Sequence, residues 1–190
     1  MAAMPVSQEM TADEFLALPA KRNASIRELV GGEVVVNEPT MVHNVVSMNL
    51  IRAVERWIGA GHQRGRVCIP LDVGLDWRNV FVPDLSWYSA ARSPDPHAHP
   101  PYPLPDLAIE IRSPSTWRYD VGAKKSSYER HGLPELWLVD TAAEQVLVFR
   151  RSMPAAGDFD VALELVRGEA IESGLMPGLR LPLDQLFELG

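Results

Sequence analysis

The run Leu107-Ala108-Ile109-Glu110-Ile111-Arg112 most constrains what this chain can fold into. Its apolar residues follow one another almost without the alternation of a half-exposed strand. Such a strand belongs at the centre of a sheet, covered on both faces. A helical pattern over Asp120 to His131 follows, stopped by Gly132 with Pro134 beyond, and then a second strand over Leu136 to Val139. Strand, helix and strand in that order imply a parallel pair.

Around this unit other signals fall into place. Thr11-Ala12-Asp13-Glu14 has the Thr-x-x-Glu pattern of a capping box and opens a short helix through Leu18, ended by Pro19. Ile26 to Asn37 reads as two strands around the Gly31-Gly32 turn. From Thr40 to Ala60 the period becomes helical, with Val42, Val45, Val46, Met48, Leu50, Ile51, Val54, Trp57 and Ile58 recurring at helical spacing to bury a broad face and Gly59 and Gly61 at the end. Arg66 to Leu71 is a short strand that Asp72 to Leu75 can continue, and Val80 to Ser89 is another, interrupted by Pro83. Ser93 to Pro105, rich in proline and holding His97 and His99, is a loop. Gln145 to Arg150 forms a strand after a tight turn at Asp140 to Glu144. Phe159 to Val166 and Glu169 to Glu172 suggest a hairpin, and a short helix starts near Asp184. The expectation is a single α/β domain over residues 1–190, with a mixed, curved β-sheet flanked by helices.

Glu110 interrupts the apolar strand, and a carboxylate there is costly unless paired or bound to a metal. Two readings stand: an ion pair with Arg112 or Arg118, or a metal ligand. Asp84 follows Pro83, where a strand that cannot continue its ladder must bend and can aim the carboxylate inward; alone, it reads as a turn aspartate. Lys124 sits on the helix after the Glu110 strand and can be lowered toward the strand's end. Lys125 points about 100° away, toward solvent, and Tyr128 lies on the Lys124 face. Arg112 shares the Glu110 side of the strand and can hold a phosphate or balance carboxylates, but cannot act as a base. Two carboxylates with a lysine suit a hard cation such as Mg²⁺ and metal-assisted cleavage of a phosphodiester. Glu28, Glu33 and His43 are weaker candidates for completing a ligand set. The His97-x-His99 pair lacks the further ligands a zinc site needs, and no phosphate-loop signature is present.

Composition narrows the partners. A net charge of −7, with basic residues scattered, argues against a broad DNA-binding face, though not against a site that brings in positive charge as metal. No run of about 18 apolar residues appears. The stretch Met1-Ala2-Ala3-Met4-Pro5 carries no secretory signal pattern. The lone Cys68, in Val67-Cys68-Ile69, reads as a small core residue. These point to a cytoplasmic protein.

Over about residues 11–189 the chain resembles the Uma-two family of restriction-endonuclease-like proteins, a branch of the PD-(D/E)XK nuclease superfamily. The resemblance is carried by Glu28-Leu29-Val30-Gly31-Gly32-Glu33, Pro39 with His43, Val82-Pro83-Asp84, Asp106 to Thr116, Asp120-Val121-Gly122-Ala123-Lys124 with Tyr128, and Gly132 to Asp140, in that order. It implies a restriction-endonuclease-like core. It also implies Asp84 and Glu110 as a metal-binding acidic pair for Mg²⁺ or Mn²⁺, with Lys124 as the lysine moved from the strand to the following helix. Arg112 stands where the wider superfamily carries lysine. The expected activity is hydrolysis of DNA phosphodiester bonds, with a homodimer suited to cutting two strands. The alternative is a binding or assembly module that keeps the fold without turnover.

Overall fold

Side chains that alternate between the two faces of a strand apolar on both explain the layering. The computed structural model describes residues 9–19 and 26–190. Strand β7 (Leu107–Ile111) sends Leu107, Ile109 and Ile111 to one face and Ala108 and Glu110 to the other. On the first face lies helix α2 (Met41–Gly59), which packs Val46, Leu50, Val54 and Trp57 over the sheet. On the second face Ala108 packs with Phe81, Tyr128, Leu133, Leu136 and Leu138. Glu110 is therefore a carboxylate set into an otherwise apolar layer.

The main sheet has six strands. β7 runs parallel to β8 (Glu135–Asp140), as the strand–helix–strand order implies. β9 (Gln145–Arg150) and β10 (Val161–Leu165) extend one side, and β6 (Leu85–Tyr88) and β3 (Arg66–Cys68) the other, all antiparallel. A second sheet of four holds β1 (Ile26–Val30), β2 (Glu33–Asn37), β4 (Val73–Asp76) and β5 (Asn79–Phe81). Helix α1 (Ala12–Leu16) carries the expected capping box on Thr11 and ends two residues short of Leu18.

Four expectations are corrected. Val80 to Ser89 is not one strand: β5 belongs to the four-stranded sheet and β6 to the six-stranded one, and Pro83-Asp84 forms the corner between them. Proline has no N–H to continue the ladder, so the chain changes sheet there. The expected hairpin between Phe159–Val166 and Glu169–Glu172 does not form. β10 pairs with β9, and β11 (Ala170–Glu172) pairs instead with the following strand β12 (Arg180–Pro182). The helix after β7 starts earlier and is irregular: α3 (Trp117–Tyr119), a π-helical turn over Asp120–Lys124, then α4 (Lys125–Arg130). Cys68 is partly exposed on the edge strand β3 rather than in the core.

A short helix α5 (Leu183–Leu186) closes the described chain near Asp184 as expected. No described helix is long and apolar enough to cross a membrane. The Met1–Pro5 stretch lies outside the described residues.

Candidate active site

Three elements converge at the C-terminal end of β7. The β6–β7 register pairs Leu85 with Ile109 and Ser86 with Ala108, so one further step sets Asp84 across from Glu110. Cross-strand partners bring their side chains within reach of each other. The backbone N–H of Ile111 donates to Asp84 Oδ2 at 2.7 Å and fixes that carboxylate. From above, the π-helical turn lowers Lys124 onto the strand end. A π turn carries one residue more than an α turn and is frequent at functional sites.

Lys124 is the centre of the cluster and is only 1% exposed. Its Nζ donates to Glu28 Oε1 at 2.8 Å and makes charge contacts with Glu110 Oε1 at 2.9 Å and Asp120 Oδ1 at 3.0 Å. Tyr128, one turn on, donates its hydroxyl to Glu110 Oε1 at 2.8 Å. Glu28 Oε1 also accepts the Val82 N–H at 2.7 Å, which ties β1 to the corner at Pro83. Asp120 Oδ2 accepts from Thr116 at 3.2 Å. From the first turn of α2, His43 Nε2 lies 3.0 Å from Asp84 Oδ1.

The electrostatics are unbalanced. Four buried carboxylates, Glu28, Asp84, Glu110 and Asp120, face Lys124 and His43. Burial pushes Glu110 well above the usual carboxylate range, and it pushes Glu28 and Asp120 up as well; Lys124 opposes the shift in each. Burial is also the largest influence on Lys124 and acts to lower it. The carboxylates of Asp120, Glu110 and Glu28 together outweigh burial and hold the amine well above its usual 10.5. Lys124 is thus a charged donor, not a base. For His43, burial lowers and Asp84 raises, with a net rise. Among the described residues, Asp84 Oδ1, Asp120 Oδ1 and both His43 ring nitrogens lack a hydrogen-bond partner of good geometry. Their contacts are charge proximity alone.

Each candidate from the sequence now has a place. Asp84, Glu110 and Lys124 meet. Glu110 pairs with neither Arg112 nor Arg118 but with Lys124. Arg112 does not join them: β7 ends at Ile111, and the guanidinium turns to Asp140, with bonds of 2.9 and 2.8 Å, and lies 5.6 Å from the Trp117 ring. The carboxylate at the end of the parallel neighbour β8 outcompetes the buried cluster for it. Glu28 and His43 move from the margin to the cluster. Glu33 stays at the surface and accepts from the Tyr119 hydroxyl at 3.0 Å. His97 and His99 are exposed in their loop. Lys125 does not reach for open solvent; its Nζ lies 4.4 Å from the Phe149 ring.

Asp120 is the residue that sequence reasoning missed. Its signal was the Asp120-x-x-x-Lys124 spacing, ordinarily a surface helix pair.

Among the described residues no group of three or more His, Cys, Asp or Glu is arranged to hold a metal ion; the point on which Glu28, Glu110 and Asp120 converge is taken by the Lys124 ammonium. The donor chemistry nevertheless suits a hard cation, with carboxylate oxygens in excess and Asp84 Oδ1 buried without a hydrogen bond. A cleft of about 770 Å³ lies at the opposite end of the sheet beside Glu135, Arg150 and Met153.

Comparison with known proteins fits this architecture. The Uma2 family model, described as "Putative restriction endonuclease", matches residues 12–184. The crystal structure of a protein from Anabaena variabilis, described as a putative nuclease belonging to DUF820, superposes with a TM-score of 0.77 at 22% identity. The match covers 95% of this chain and 98% of that one, and it shows the shared restriction-endonuclease-like fold. No match was found among curated proteins.

Proposed function

The chain belongs to the Uma2 family, and on that premise we propose that it is a Mg²⁺- or Mn²⁺-dependent endonuclease that hydrolyses DNA phosphodiester bonds at the Asp84–Glu110–Lys124 cluster. The observation that carries this reading is the 2.9 Å contact of Lys124 Nζ with Glu110, beside Asp84, from three separate stretches of chain.

Asp84 and Glu110 would hold the divalent ion, for which the surplus of buried carboxylates leaves a charge to be balanced. The bound ion would supply acidity to an attacking water and neutralise charge on the phosphate. The chain's own groups do the rest. The Ile111 N–H and the Tyr128 hydroxyl fix the two carboxylates in place. Lys124, held as an ammonium beside Glu110, supplies fixed positive charge against the negative charge that grows on the phosphate. Glu28 and Asp120 keep that ammonium charged and aimed. Arg112, half-exposed and two residues from Glu110, is assigned to a phosphate of the backbone rather than to the reacting atoms.

The test is cleavage of supercoiled plasmid in Mn²⁺ by the purified chain and by Glu110→Ala. The wild-type protein is expected to nick and linearise the plasmid, and the variant to lose at least about 100-fold in rate, the scale of removing one electrostatic group from such a site. Equal cleavage by both would assign the activity to a contaminant or to another site. The complete burial of Lys124 favours a second reading, a nuclease-fold binding module without turnover. Under that reading neither protein cuts in any divalent ion.

A further inference from the structure

Arginines from two separate stretches of chain meet in the cleft of about 770 Å³ at the end of the sheet away from Lys124. Arg92 follows β6, Arg150 ends β9 and Arg151 comes next. The β8–β9 register pairs Glu135 with Arg150, so both side chains leave the same face of the sheet. Three guanidiniums line the cleft with two carboxylates, Asp106 and Glu135, a local positive surplus in a chain of net charge −7.

The carboxylates near these arginines are engaged elsewhere. Asp106 pairs with Arg92 at 2.6 Å. Glu135, 1% exposed, accepts from the Trp137 indole at 2.6 Å through one oxygen and from the Ser173 hydroxyl at 2.9 Å through the other. The Glu172 carboxylate faces Arg180 at 3.5 Å and leaves Arg150 only its backbone carbonyl, at 3.4 Å. Arg151 is held by the carbonyls of Leu133, Ala156 and Glu129. A guanidinium carries five N–H donors in a planar fork, so one long contact leaves most of those on Arg150 open. Met153, 60% exposed, and Leu175 add an apolar wall.

We propose that this cleft binds a small organic anion, a phosphate or carboxylate group carried on an apolar body, with Arg150 as its anchor. The guanidinium fork meets either group with two parallel hydrogen bonds, and the apolar body lies against Met153 and Leu175. The volume, with a few polar groups set among apolar ones, is that of a small-molecule site. A polynucleotide backbone brings phosphates without apolar surface and has no use for such a wall. Glu135 pairs with Leu107 at the start of β7, whereas Glu110 lies near its end, so binding here is separate from cleavage there.

The experiment is calorimetric titration of the full chain with phenyl phosphate, benzoate and inorganic phosphate, at neutral pH and low ionic strength. EDTA keeps divalent ions off the Glu110 cluster. The wild-type chain is expected to bind phenyl phosphate or benzoate at a single site, the tighter of the two naming the anion, and inorganic phosphate at least about tenfold more weakly. Arg150→Gln is expected to lose at least about tenfold in affinity. Arg167→Gln, which removes a cation beside Glu144 at the other end of β9, is expected to lose nothing. Met153→Asp, at an exposed position, sets a negative charge on the wall and is expected to weaken binding as well; it stands as the test if Arg150→Gln fails to fold. Absence of saturable binding of both organic probes by the wild-type chain overturns the inference. Binding unchanged in Arg150→Gln and Met153→Asp, or inorganic phosphate bound as tightly as the organic probes, overturns it equally.

Discussion

Lys124 is the residue on which the cluster depends. An ammonium buried among three carboxylates stabilises them only while it is there; removing one partner of such a set strands the others. Lys124→Ala is therefore expected to cost about 3–5 kcal/mol at pH 7, read by urea unfolding. The pH dependence follows from the directions of the shifts. The lysine is raised, so its contribution is fully present below its usual 10.5 and is lost as pH rises through the higher folded value. Glu28, Glu110 and Asp120 are also raised, so each favours the folded state below its usual 4.5 or 3.8 and loses that contribution as pH rises through its folded value. As pH falls these carboxylates take up protons sooner than free carboxylates would and need the lysine less, so the penalty of Lys124→Ala shrinks toward acid pH. For the same reason Glu110→Gln, without metal at neutral pH, is expected to melt no lower than wild type while losing cleavage. A lower melting temperature would show that Glu110 stabilises the fold rather than being kept at its expense. Glu110 was legible in the sequence because one carboxylate in a doubly covered strand needs a reason. Asp120 was not, because its pattern is that of any surface helix pair and its burial depends on geometry that no local pattern records.

That geometry lives at the scale of elements. Across Asp120–Lys124 the π turn adds one residue to the helix, which sets the angle between α3 and α4 and places Lys124 and Tyr128 over Glu110 together. Deleting Gly122, whose position has open space around it, converts the turn to α and rotates Asp120 by about 100° relative to Lys124. Such a variant is expected to keep its circular dichroism spectrum and lose Mn²⁺-dependent plasmid cleavage; undiminished cleavage would show that the turn does not position the lysine. The long helix, the Gly31-Gly32 hairpin and the parallel β7–β8 pair were readable because each follows from a local period or a strand–helix–strand order. The transfer between sheets at Pro83 was half readable: the break was visible, its destination was not. The pairing of β11 with β12 was hidden because strands of three residues carry too little pattern to choose a partner.

For the whole molecule, charge and burial point the same way. A chain of net charge −7 does not gather DNA by a general basic field, so under the proposed function the contacts with DNA would be concentrated where local positive charge is supplied. The surplus of carboxylates at the end of β7 is where a divalent ion would supply it. The most direct test is a calorimetric titration of Mn²⁺ into the full chain and into Asp84→Asn at neutral pH. The account expects saturable binding by the wild-type protein and loss of that binding in the variant. Equal binding by the two proteins, or none by either, would contradict a metal-dependent centre at Asp84, Glu110 and Lys124.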